Sequence, residues 1–247
     1  MKIWQQYKDY LFSGEWHIHT SFTDGKNTIL EYAEAADELK IPLLAFTEHV
    51  RKNLDYSYDD FIKEINDAQK KFPNVILLSG IEAKVLPHGS LDCSANVFQM
   101  ADYKLFAFHS FPENLEIYVT SIEKIIKHYS VDAWAHPGLF FKKYKNLKLS
   151  DEQLGHIFEL MNNYNILLEI NFRYNLPSIN WIRRYLKISN NSNIIFGTDA
   201  HNIDDLQRAW KIKEEFKTYH KKISSDKINI TSFLNWFIEK YPGDLKE

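Results

Sequence analysis

EWHIHT, residues 15–20, is one of seven short runs in which apolar residues lead into polar ones. The other six are more apolar and recur at regular intervals: PLLAFTEH (42–49), NVILLSGIEAKV (74–85), YKLFAFHS (103–110), DAWAHPG (132–138), NILLEINF (165–172) and NIIFGTDA (193–200). Near-continuous apolar character is typical of strands that are covered on both faces of a sheet. The sequence therefore predicts seven buried strands.

Segments with helical spacing lie between these strands. Capping boxes open two of them, Thr28 with Glu31 and Ser150 with Gln153. Ser57 can cap another, whose apolar residues follow an i, i+4, i+7 stripe. The predicted helices cover residues 28–39, a segment from 57 through 68, a segment around 117–126, a segment from 150 through 161, and residues 178–188, 204–218 and 231–240.

This alternation of strands and helices is typical of parallel strands joined by helical crossovers. A closed TIM-like barrel accommodates seven βα units in one domain better than an open sheet does. The sequence contains no linker-like or low-complexity segment that would divide it. We therefore predict an α/β fold with a single barrel domain over residues 1–247, in which residues 202–247 form C-terminal helices that pack on the barrel.

The composition restricts the class of protein further. The 247 residues are 45% hydrophobic and 26% charged, and 30 basic against 33 acidic side chains give a net charge of −3. This balance argues against a protein built to hold duplex nucleic acid, which normally carries a basic excess. Cys93 is the single cysteine, so we expect a reducing compartment and exclude a thiolate metal cluster.

The sequence shows no sign of a membrane or secretory segment. No apolar run approaches the length of a membrane span, and the N-terminal segment MKIWQQYKDY lacks the apolar core of a signal peptide. We therefore predict a cytoplasmic protein with no membrane partner. The sequence gives no indication of the oligomeric state.

Polar side chains that can bind metal end every predicted strand. They are His17 and His19, His49, Glu82, His109, His136, Glu169, and Asp199 with His201. From His19 to Asp199, successive members are 27 to 33 residues apart, which matches the length of one strand–helix unit. The C-terminal ends of parallel strands meet on the catalytic face of a βα barrel. We therefore expect these side chains to form one cluster.

The histidines in this set predict a metal centre. His17 and His19 are two residues apart on one strand, so both imidazoles are expected on one face, with Trp16 and Ile18 on the other. Six imidazoles packed with carboxylates would repel one another without a cation. A lone buried histidine is more often a core residue, and we assign that role to three histidines within or beside predicted helices: His128, His156 and His220. The role of His88, in a loop, stays open.

Two further carboxylates near the strand ends are ambiguous. Glu48 is one position out of phase with His49, so we interpret it as structural or as a partner that orients a ligand histidine. Glu169 ends its strand and fits either a ligand or an orienting role. The sequence leaves both alternatives open for Glu169.

The assembled motifs are similar to those of the PHP (polymerase and histidinol phosphatase) family of metal-dependent phosphoesterases. In the order of that family they are HIHTSFTDG (17–25), TEH (47–49), GIEAKVLPHGSLD (80–92), FHS (108–110), AHPG (135–138), LEIN (168–171) and GTDAH (197–201). They extend over most of the chain, and their combination is far more specific than any one of them. The resemblance implies a distorted (β/α)7 barrel with a trinuclear metal centre at the C-terminal ends of its strands.

The resemblance also implies which residues bind each of the three ions. The ligands of the first ion would be His17, His19, Glu82 and Asp199. Glu82 would bridge to the second ion, whose other ligands would be His109 and His136. The ligands of the third ion would be Asp24, His49 and His201. Some family members have histidine at the position of Asp24, and many have an acidic residue at the position of His88.

The ligand set indicates the cofactors and the chemistry. Mixed imidazole and carboxylate ligands suit Zn, Mn or Fe. Three divalent ions would leave the site positively charged, which favours an anionic substrate. We predict hydrolysis of a small-molecule phosphomonoester, with histidinol phosphate as one candidate substrate. Metal activation lowers the pKa of water from 15.7 to roughly 7, so hydroxide would attack phosphorus at neutral pH.

Cationic side chains after the strands are candidate phosphate binders. Arg51 follows His49 by two residues and Arg173 follows Glu169 by four, and a guanidinium binds phosphate in a bidentate manner. A solvated loop charge is the alternative role for each. The lysines of the loop after His136 are weaker candidates: Lys142, Lys143 and Lys145. Aromatic residues in these loops are candidates for a leaving-group pocket: Tyr56, Tyr58, Phe140, Phe141 and Tyr174.

Two other functions stay open. One is a nuclease or exonuclease that acts on short or terminal substrates, since PHP modules also accompany DNA polymerases. The sequence contains no basic tract long enough to follow a nucleic-acid strand. The other is a module that senses a phosphorylated ligand without turnover, although the complete ligand set argues against it. We expect a small phosphorylated molecule as the partner.

Overall fold

Strands and helices alternate along the chain as the sequence predicts. The structure is a computed structural model and describes residues 1–189, 193–223 and 230–240. The strands are β1 (Glu15–Ile18), β2 (Leu43–Val50), β3 (Ile76–Leu86), β4 (Ser90–Leu91), β5 (Tyr103–Ala107), β6 (Ala133–Trp134), β7 (Leu167–Asn171) and β8 (Ile194–Gly197). The helices are α1 (Ile3–Gln6), α2 (Ile29–Leu39), α3 (Tyr58–Lys71), α4 (Ala95–Met100), α5 (Leu115–His128), α6 (Leu139–Lys143), α7 (Asp151–Asn163), α8 (Ile179–Ile188), α9 (Ile203–Ile223) and α10 (Ile230–Lys240).

Seven of these strands form a nearly closed barrel. They pair in the order β1-β2-β3-β5-β6-β7-β8, each pair parallel, and β4 forms a short hairpin with β3. After β8 the chain returns to β1, where Ala200 pairs with Ile18. His19 N donates to Ala200 O at 2.9 Å, and Ala200 N donates to His17 O at 3.2 Å. The predicted α/β barrel of seven βα units is therefore confirmed.

A buried carboxylate completes the seam between the first and last strands. Glu15 Oε1 accepts hydrogen bonds from Thr198 N at 2.7 Å and from Trp16 N at 3.1 Å. Lys213 Nζ on α9 lies 3.7 Å from Glu15 Oε2 and donates to Gly14 O at 2.8 Å. Both charges are buried, which is tolerated because each has a partner of opposite charge and additional hydrogen bonds. The side chains of Glu15 and Lys213 thus add hydrogen bonds at the seam, where few backbone hydrogen bonds join β1 to β8.

Apolar side chains fill the barrel interior towards the N-terminal ends of the strands. Trp16, Leu43, Tyr103 and Leu167 are fully buried there, and Trp4 of α1 joins the same cluster. The rings of Trp16 and Tyr103 have centroids 5.2 Å apart. This end of the barrel is a packed core, as in other βα barrels. Polar residues are left for the C-terminal ends, where the loops converge.

The first strand departs from the simple alternation predicted for it. Glu15 pairs with Leu44 and Ile18 pairs with Phe46, so β1 has one more residue than β2 between these two pairs. A bulge of this kind shifts the alternation of side chains. Trp16 consequently packs in the interior cluster, whereas Ile18 packs in the layer between sheet and helices. The prediction that these two side chains share a face is wrong.

The C-terminal helices pack on the outside of the barrel. Phe233 of α10 contacts Phe196 of β8 with ring centroids 4.6 Å apart, and Phe12 contacts Phe233 at 5.2 Å. Helix α9 continues to Ile223, beyond the predicted end at residue 218. The single domain over residues 1–247 stays a prediction, and residues 190–192, 224–229 and 241–247 lie outside the described residues.

Five short elements of the described residues are not predicted by the sequence: α1, the 3₁₀ helix Lys8–Tyr10, α4, α6 and β4. Each has six residues or fewer, which is too short for a clear hydrophobic period. Within residues 1–189, 193–223 and 230–240, no helix combines the length and apolar character needed to cross a bilayer.

Candidate metal centre

The nine predicted metal ligands lie together at the C-terminal ends of the barrel strands. They belong to six strands or to the loops that follow them: His17, His19 and Asp24 to β1, His49 to β2, Glu82 to β3, His109 to β5, His136 to β6, and Asp199 and His201 to β8. Each has a ligand atom within 3.5 Å of a ligand atom of another member. The structure thus brings all nine into one cluster.

Glu82 lies at the centre of this cluster. Its buried carboxylate faces five imidazoles, with nearest distances of 2.6 Å to His136 Nε2, 3.0 Å to His49 Nδ1, 3.2 Å to His109 Nε2, 3.5 Å to His19 Nε2 and 3.7 Å to His17 Nε2. Burial favours the neutral acid, but the His109 and His136 rings outweigh burial and hold the pKa of Glu82 well below its usual range. The carboxylate is therefore ionised and suited to bridge two cations.

Among the described residues, three overlapping groups of ligand atoms are compact enough to hold a cation. Their members are His19, Asp24, His49 and His201; His17, His19 and Glu82; and His49, Glu82 and His109. The first group contains the whole set predicted for the third ion. The two predicted ligands outside these groups adjoin them, since Asp199 Oδ1 lies 3.6 Å from His19 Nε2 and His136 Nε2 lies beside Glu82.

The donor atoms of the cluster fit metal binding. Within the part of the chain that the structure describes, the buried Nδ1 atoms of His19, His49 and His136 have no hydrogen-bond partner. His49 Nδ1 lies 3.0 Å from Glu82 Oε2, yet without the alignment of a hydrogen bond. The Nε2 atoms of His17 and His19 face each other at 3.1 Å. Unsatisfied buried nitrogens cost about 1–3 kcal/mol each, and coordination to a cation would satisfy nitrogens of this cluster.

His17 of β1 and His19, which follows β1, have opposite pKa shifts. Burial disfavours the charged ring of His17, but the carboxylates of Glu169 and Asp199 outweigh burial and raise its pKa well above the usual value. Burial lowers the pKa of His19 well below the usual value, and the His17 and His49 rings add to this effect. His19 is therefore neutral, which is the form of imidazole that binds a metal.

Glu169 orients His17 by contacting Nδ1, the ring nitrogen that does not face Glu82. Its Oε1 lies 2.6 Å from His17 Nδ1, which leaves His17 Nε2 directed at Glu82 and His19. Its other oxygen accepts hydrogen bonds from His136 N and, at 3.1 Å, from Asn171 Nδ2. Carboxylates in this position fix the tautomer and raise the basicity of a ligand histidine. Of the two roles that the sequence leaves open, the contacts favour the orienting one.

Gly197 makes room for the Glu169 carboxylate. A Cβ at Gly197 would lie 1.9 Å from Glu169 Oε1 and 3.0 Å from His17 Cβ. No real side chain is tolerated at such distances, so the contact between Glu169 and His17 depends on this glycine. Sequence reasoning missed Gly197, although its place two residues before Asp199 in the GTDAH motif is a usable signal.

Glu48 organises the loop that carries Asp24. Its Oε1 accepts hydrogen bonds from Thr20 N at 2.8 Å and from Thr20 Oγ1 at 2.7 Å, and its Oε2 accepts one from Thr23 Oγ1. Burial raises the pKa of Glu48 to about 7. The loop then turns sharply at Gly25, where a Cβ would lie 2.1 Å from His19 O. The contacts give Glu48 a structural role rather than that of a ligand.

Replacing Glu169 by glutamine tests its orienting role. The amide oxygen can still accept the His17 proton, but the negative charge is lost and the amide nitrogen meets the donor His136 N. We expect metal affinity to fall by about 10–100-fold, measured by competition with a chelating dye. The exposed Glu159→Gln on α7 is the matched control and should bind metal as the wild type does. Unchanged affinity in Glu169→Gln would contradict the role.

Arg173 lies at the edge of the cluster. Its Nη1 is 2.5 Å from His201 Nδ1 and donates to Asp199 O at 3.3 Å. The guanidinium also lies 5.9 Å from the centroid of the Tyr174 ring, whose own centroid is 5.6 Å from that of His136. The side chain is exposed, so its remaining N–H groups can reach a ligand. The geometry is compatible with the predicted phosphate contact.

Arg51 and the loop lysines have other contacts. Arg51 Nη1 donates to Val50 O at 2.7 Å and its Nε lies 3.7 Å from Asp92 Oδ2. Lys142 Nζ donates to Tyr174 O at 2.6 Å, which links α6 to the loop after β7. Lys143 stacks over the Tyr144 ring at 5.1 Å. The phosphate-binding role of Arg51 stays a prediction, and the contacts of Lys142 and Lys143 are structural.

The aromatic residues proposed for a leaving-group pocket divide into two sets. Tyr174 contacts His136 and therefore lies at the site. Tyr58 is buried and donates to Gly80 O at 3.3 Å, and Phe140 is buried against Tyr118 with ring centroids 4.4 Å apart. Tyr58 and Phe140 therefore belong to the core.

Phe141 and Tyr56 also make packing contacts. The Phe141 ring lies 5.2 Å from the Tyr118 ring, and Tyr56 donates to His49 O at 3.4 Å. Aromatic character alone therefore does not identify the residues that face a substrate.

The histidines assigned to other roles lie away from the nine-residue cluster. His156 on α7 pairs with Glu123 on α5 at 3.5 Å, and His220 on α9 is buried against Phe216. His128 is the last residue of α5. His88 lies in the β3–β4 turn with a φ of 70°. These four positions agree with the separation of helix and loop histidines from strand-end histidines.

A parallel barrel that gathers imidazoles and carboxylates at the C-terminal ends of its strands defines a class, the metal-dependent barrel hydrolases. The family model of the PHP domain matches residues 15–228, and the chain belongs to this family. As a member of this phosphoesterase family, it is a metal-dependent hydrolase.

Relatives of the chain include both polymerases and phosphatases. The chain is 29% identical over 203 residues to the DNA polymerase/3'-5' exonuclease PolX of Bacillus subtilis, covering 78% of this chain but only 35% of that protein. It is 26% identical over 211 residues to a probable phosphatase of Acetivibrio thermocellus, covering 81% of this chain and 85% of that one.

Among solved structures, histidinol phosphate phosphatase from Lactococcus lactis, complexed with zinc, L-histidinol and phosphate, has the same fold. The TM-score is 0.58 at 16% identity, and the match covers 82% of this chain and 94% of that one. The activities named for these three proteins differ.

Proposed function

We propose that this protein hydrolyses small-molecule phosphomonoesters with three divalent ions bound by the nine-residue cluster. The observation that carries the proposal is the buried Glu82 carboxylate, which faces imidazoles from four other strands. An apolar residue at this position would stabilise the fold at least as well, because a buried ionic network often contributes little to stability. It does fit the bridging ligand of a multinuclear site.

The proposed ligand sets are those that the family resemblance implies, and each shares at least two members with one of the compact groups. The three sets are His17, His19, Glu82 and Asp199; Glu82, His109 and His136; and Asp24, His49 and His201. Their nitrogen and oxygen donors suit Zn, Mn or Fe. When bound, such ions would supply an activated water at neutral pH and neutralise the phosphoryl oxygens. Three carboxylates only partly offset three divalent ions, so the site would attract an anion.

The chain's own residues then position the phosphate. Arg173 lies beside His201 with part of its guanidinium exposed, so it can donate two parallel hydrogen bonds to phosphoryl oxygens. Tyr174 stands against His136 and narrows the entrance on that side. Glu169 holds the His17 ring, which keeps a ligand nitrogen directed into the site.

Similarity to two relatives and to one solved structure supports the phosphatase function. Two relatives are named probable phosphatases, and each aligns over about four fifths of both chains. The Lactococcus lactis structure, which resembles this chain in fold, contains zinc, L-histidinol and phosphate. A histidinol-phosphatase-like activity is therefore the first to test.

A second candidate function is exonuclease activity on short or terminal nucleic-acid substrates. The relative that favours it is PolX, whose name includes a 3'-5' exonuclease activity. This chain spans only 35% of that protein, so the similarity does not extend to its other regions. No observation favours the third alternative, a module that binds a phosphorylated ligand without turnover.

A substrate panel separates the two enzymatic functions. We expect the manganese- or zinc-loaded protein to release phosphate from monoesters such as histidinol phosphate, and a chelator to abolish release. His17→Ala should keep the far-ultraviolet circular dichroism spectrum but lose bound metal and turnover. His156→Ala, which removes an exposed histidine paired with Glu123, should behave as the wild type. Cleavage of oligonucleotides without any monoester hydrolysis would favour the exonuclease instead.

A further inference from the structure

A cavity of about 660 Å³ opens beside the metal centre. It shares Asp24, Arg173 and His201 with the cluster and its edge, and it extends from there to α9 and α10. Its volume lies within the range of about 300–1,000 Å³ that is usual for small-molecule sites. A phosphate held at the cluster would therefore leave the rest of its substrate at the mouth of this cavity.

One side of the cavity is apolar. Phe172, which follows β7, and Phe237 of α10 both line it, and their rings pack with centroids 5.7 Å apart and planes at 72°. Ile212 and Ala209 of α9 continue the same surface. Aromatic edges and faces next to aliphatic side chains suit a ring-shaped or other flat apolar group.

The lining of the cavity is also cationic. Lys26, Arg173 and Arg208 line it, and all three side chains are exposed. Among the described lining residues, Asp205 is the one carboxylate outside the proposed ligand sets. It accepts a hydrogen bond from His201 N at 3.2 Å and lies 3.7 Å from Arg208. The cavity therefore has an excess of positive charge even when Asp205 is ionised.

We propose that this cavity binds the leaving group of the substrate and selects phosphomonoesters whose alcohol part combines an apolar ring with a second anionic group, a carboxylate or a phosphate. The inference rests on the proposed phosphatase function. It identifies Lys26 and Arg208 as residues that determine specificity. A leaving group that carries an amine, as histidinol does, would meet the same cations, so histidinol phosphate should be hydrolysed more slowly than a monoester with an anionic leaving group.

Matched aryl phosphates test the selection directly. The substrates are 4-(carboxymethyl)phenyl phosphate, its neutral carboxamide analogue, its phosphonomethyl analogue and the cationic 4-(2-aminoethyl)phenyl phosphate. A saturated carbon separates the variable group from the ring, so the reactivity of the leaving phenol changes little. We expect kcat/KM for the carboxylate to exceed that for the carboxamide by about fivefold, the effect of one exposed ion pair. Comparison of the phosphonomethyl substrate with the carboxymethyl substrate shows which anion the cavity prefers.

Variants show whether the cavity causes the selection. In Lys26→Met and in Arg208→Met, the ratio of carboxylate to carboxamide turnover should fall towards one. Lys211→Met is the control, because Lys211 is an exposed cation of α9 that does not line the cavity. This control should keep the wild-type ratio.

A binding measurement on metal-free protein gives a second readout. Ligand-observed NMR with 4-hydroxyphenylacetate and its amide should show preferential binding of the acid, lost when Lys26 and Arg208 are both replaced by methionine. Equal turnover of the four substrates, or preference for the amine, would overturn the inference and leave the phosphatase function intact. Absence of phosphate release from every substrate would overturn the proposed phosphatase function. In that case the NMR measurement still tests the cavity, because equal binding of the acid and the amide would show that the cavity does not select anions.

Discussion

Glutamine in place of Glu82 is expected to remove bound metal and to lower monoester turnover by roughly 10³-fold. Losing one group that stabilises the charge of a transition state costs about 10²–10³-fold in rate, and loss of a bound ion places the effect at the upper end of that range. Glutamine has nearly the same volume, so the packing around it is retained. The effect therefore reports the charge and not a cavity.

The reason lies in the imidazoles that surround Glu82. Its oxygens lie 2.6 Å from His136 Nε2, 3.2 Å from His109 Nε2 and 3.0 Å from His49 Nδ1. An amide offers one neutral oxygen and one N–H₂ group to nitrogens that must all be unprotonated to bind a cation. The N–H₂ group would occupy one of those nitrogens as a hydrogen-bond donor. Glutamine thus removes a ligand and blocks another.

The measurement combines metal content with turnover. Metal per protein is determined by elemental analysis after dialysis, and folding is checked by circular dichroism. Glu64→Gln is the control, because Glu64 is an exposed carboxylate on α3, the helix before β3. It should match the wild type in metal content and in turnover. Full metal content and full turnover in Glu82→Gln would show that the proposed ligand set is wrong.

The positions of the ligands could be predicted from the sequence because they depend on local pattern. A buried strand is recognisable from its apolar run, and its last polar residue, such as His49 or Glu82, must then lie at the common edge of a parallel sheet. The structure places these two side chains on adjacent positions of β2 and β3. Neither strand order nor distance was needed for that conclusion.

What the sequence could not predict depends on contacts between distant segments. The bulge in β1, which turns Trp16 into the barrel, arises from pairing with β2. The cavity beside the cluster needs Phe237, 36 residues after His201, and no local period indicates that α10 reaches the site. Glu169 has the same pattern as the ligand residues and is distinguished by its distance to His17 Nδ1. Such roles follow from packing, which a single sequence does not specify.

Alanine at Gly197 is expected to disrupt the metal centre without touching a ligand. The new Cβ would lie 1.9 Å from Glu169 Oε1, and the carboxylate cannot withdraw freely because it also accepts hydrogen bonds from His136 N and Asn171 Nδ2. Overpacking of a buried site costs about 2–3 kcal/mol. We therefore expect a loss of that size in the free energy of unfolding, together with weaker metal binding as His17 loses its partner.

Gly155→Ala separates this effect from the general consequences of adding a methyl group. A Cβ at Gly155 on α7 would lie 3.1 Å from Arg184 Nη2, the end of a flexible side chain, and alanine favours a helix. Its free energy of unfolding should change by less than about 1 kcal/mol. Shortening the carboxylate in the double variant Gly197→Ala with Glu169→Asp should recover part of the stability, because the clashing oxygen withdraws. Denaturant unfolding measures these three variants and Glu169→Asp alone, and strict additivity of the two substitutions would show that Gly197 does not act through Glu169.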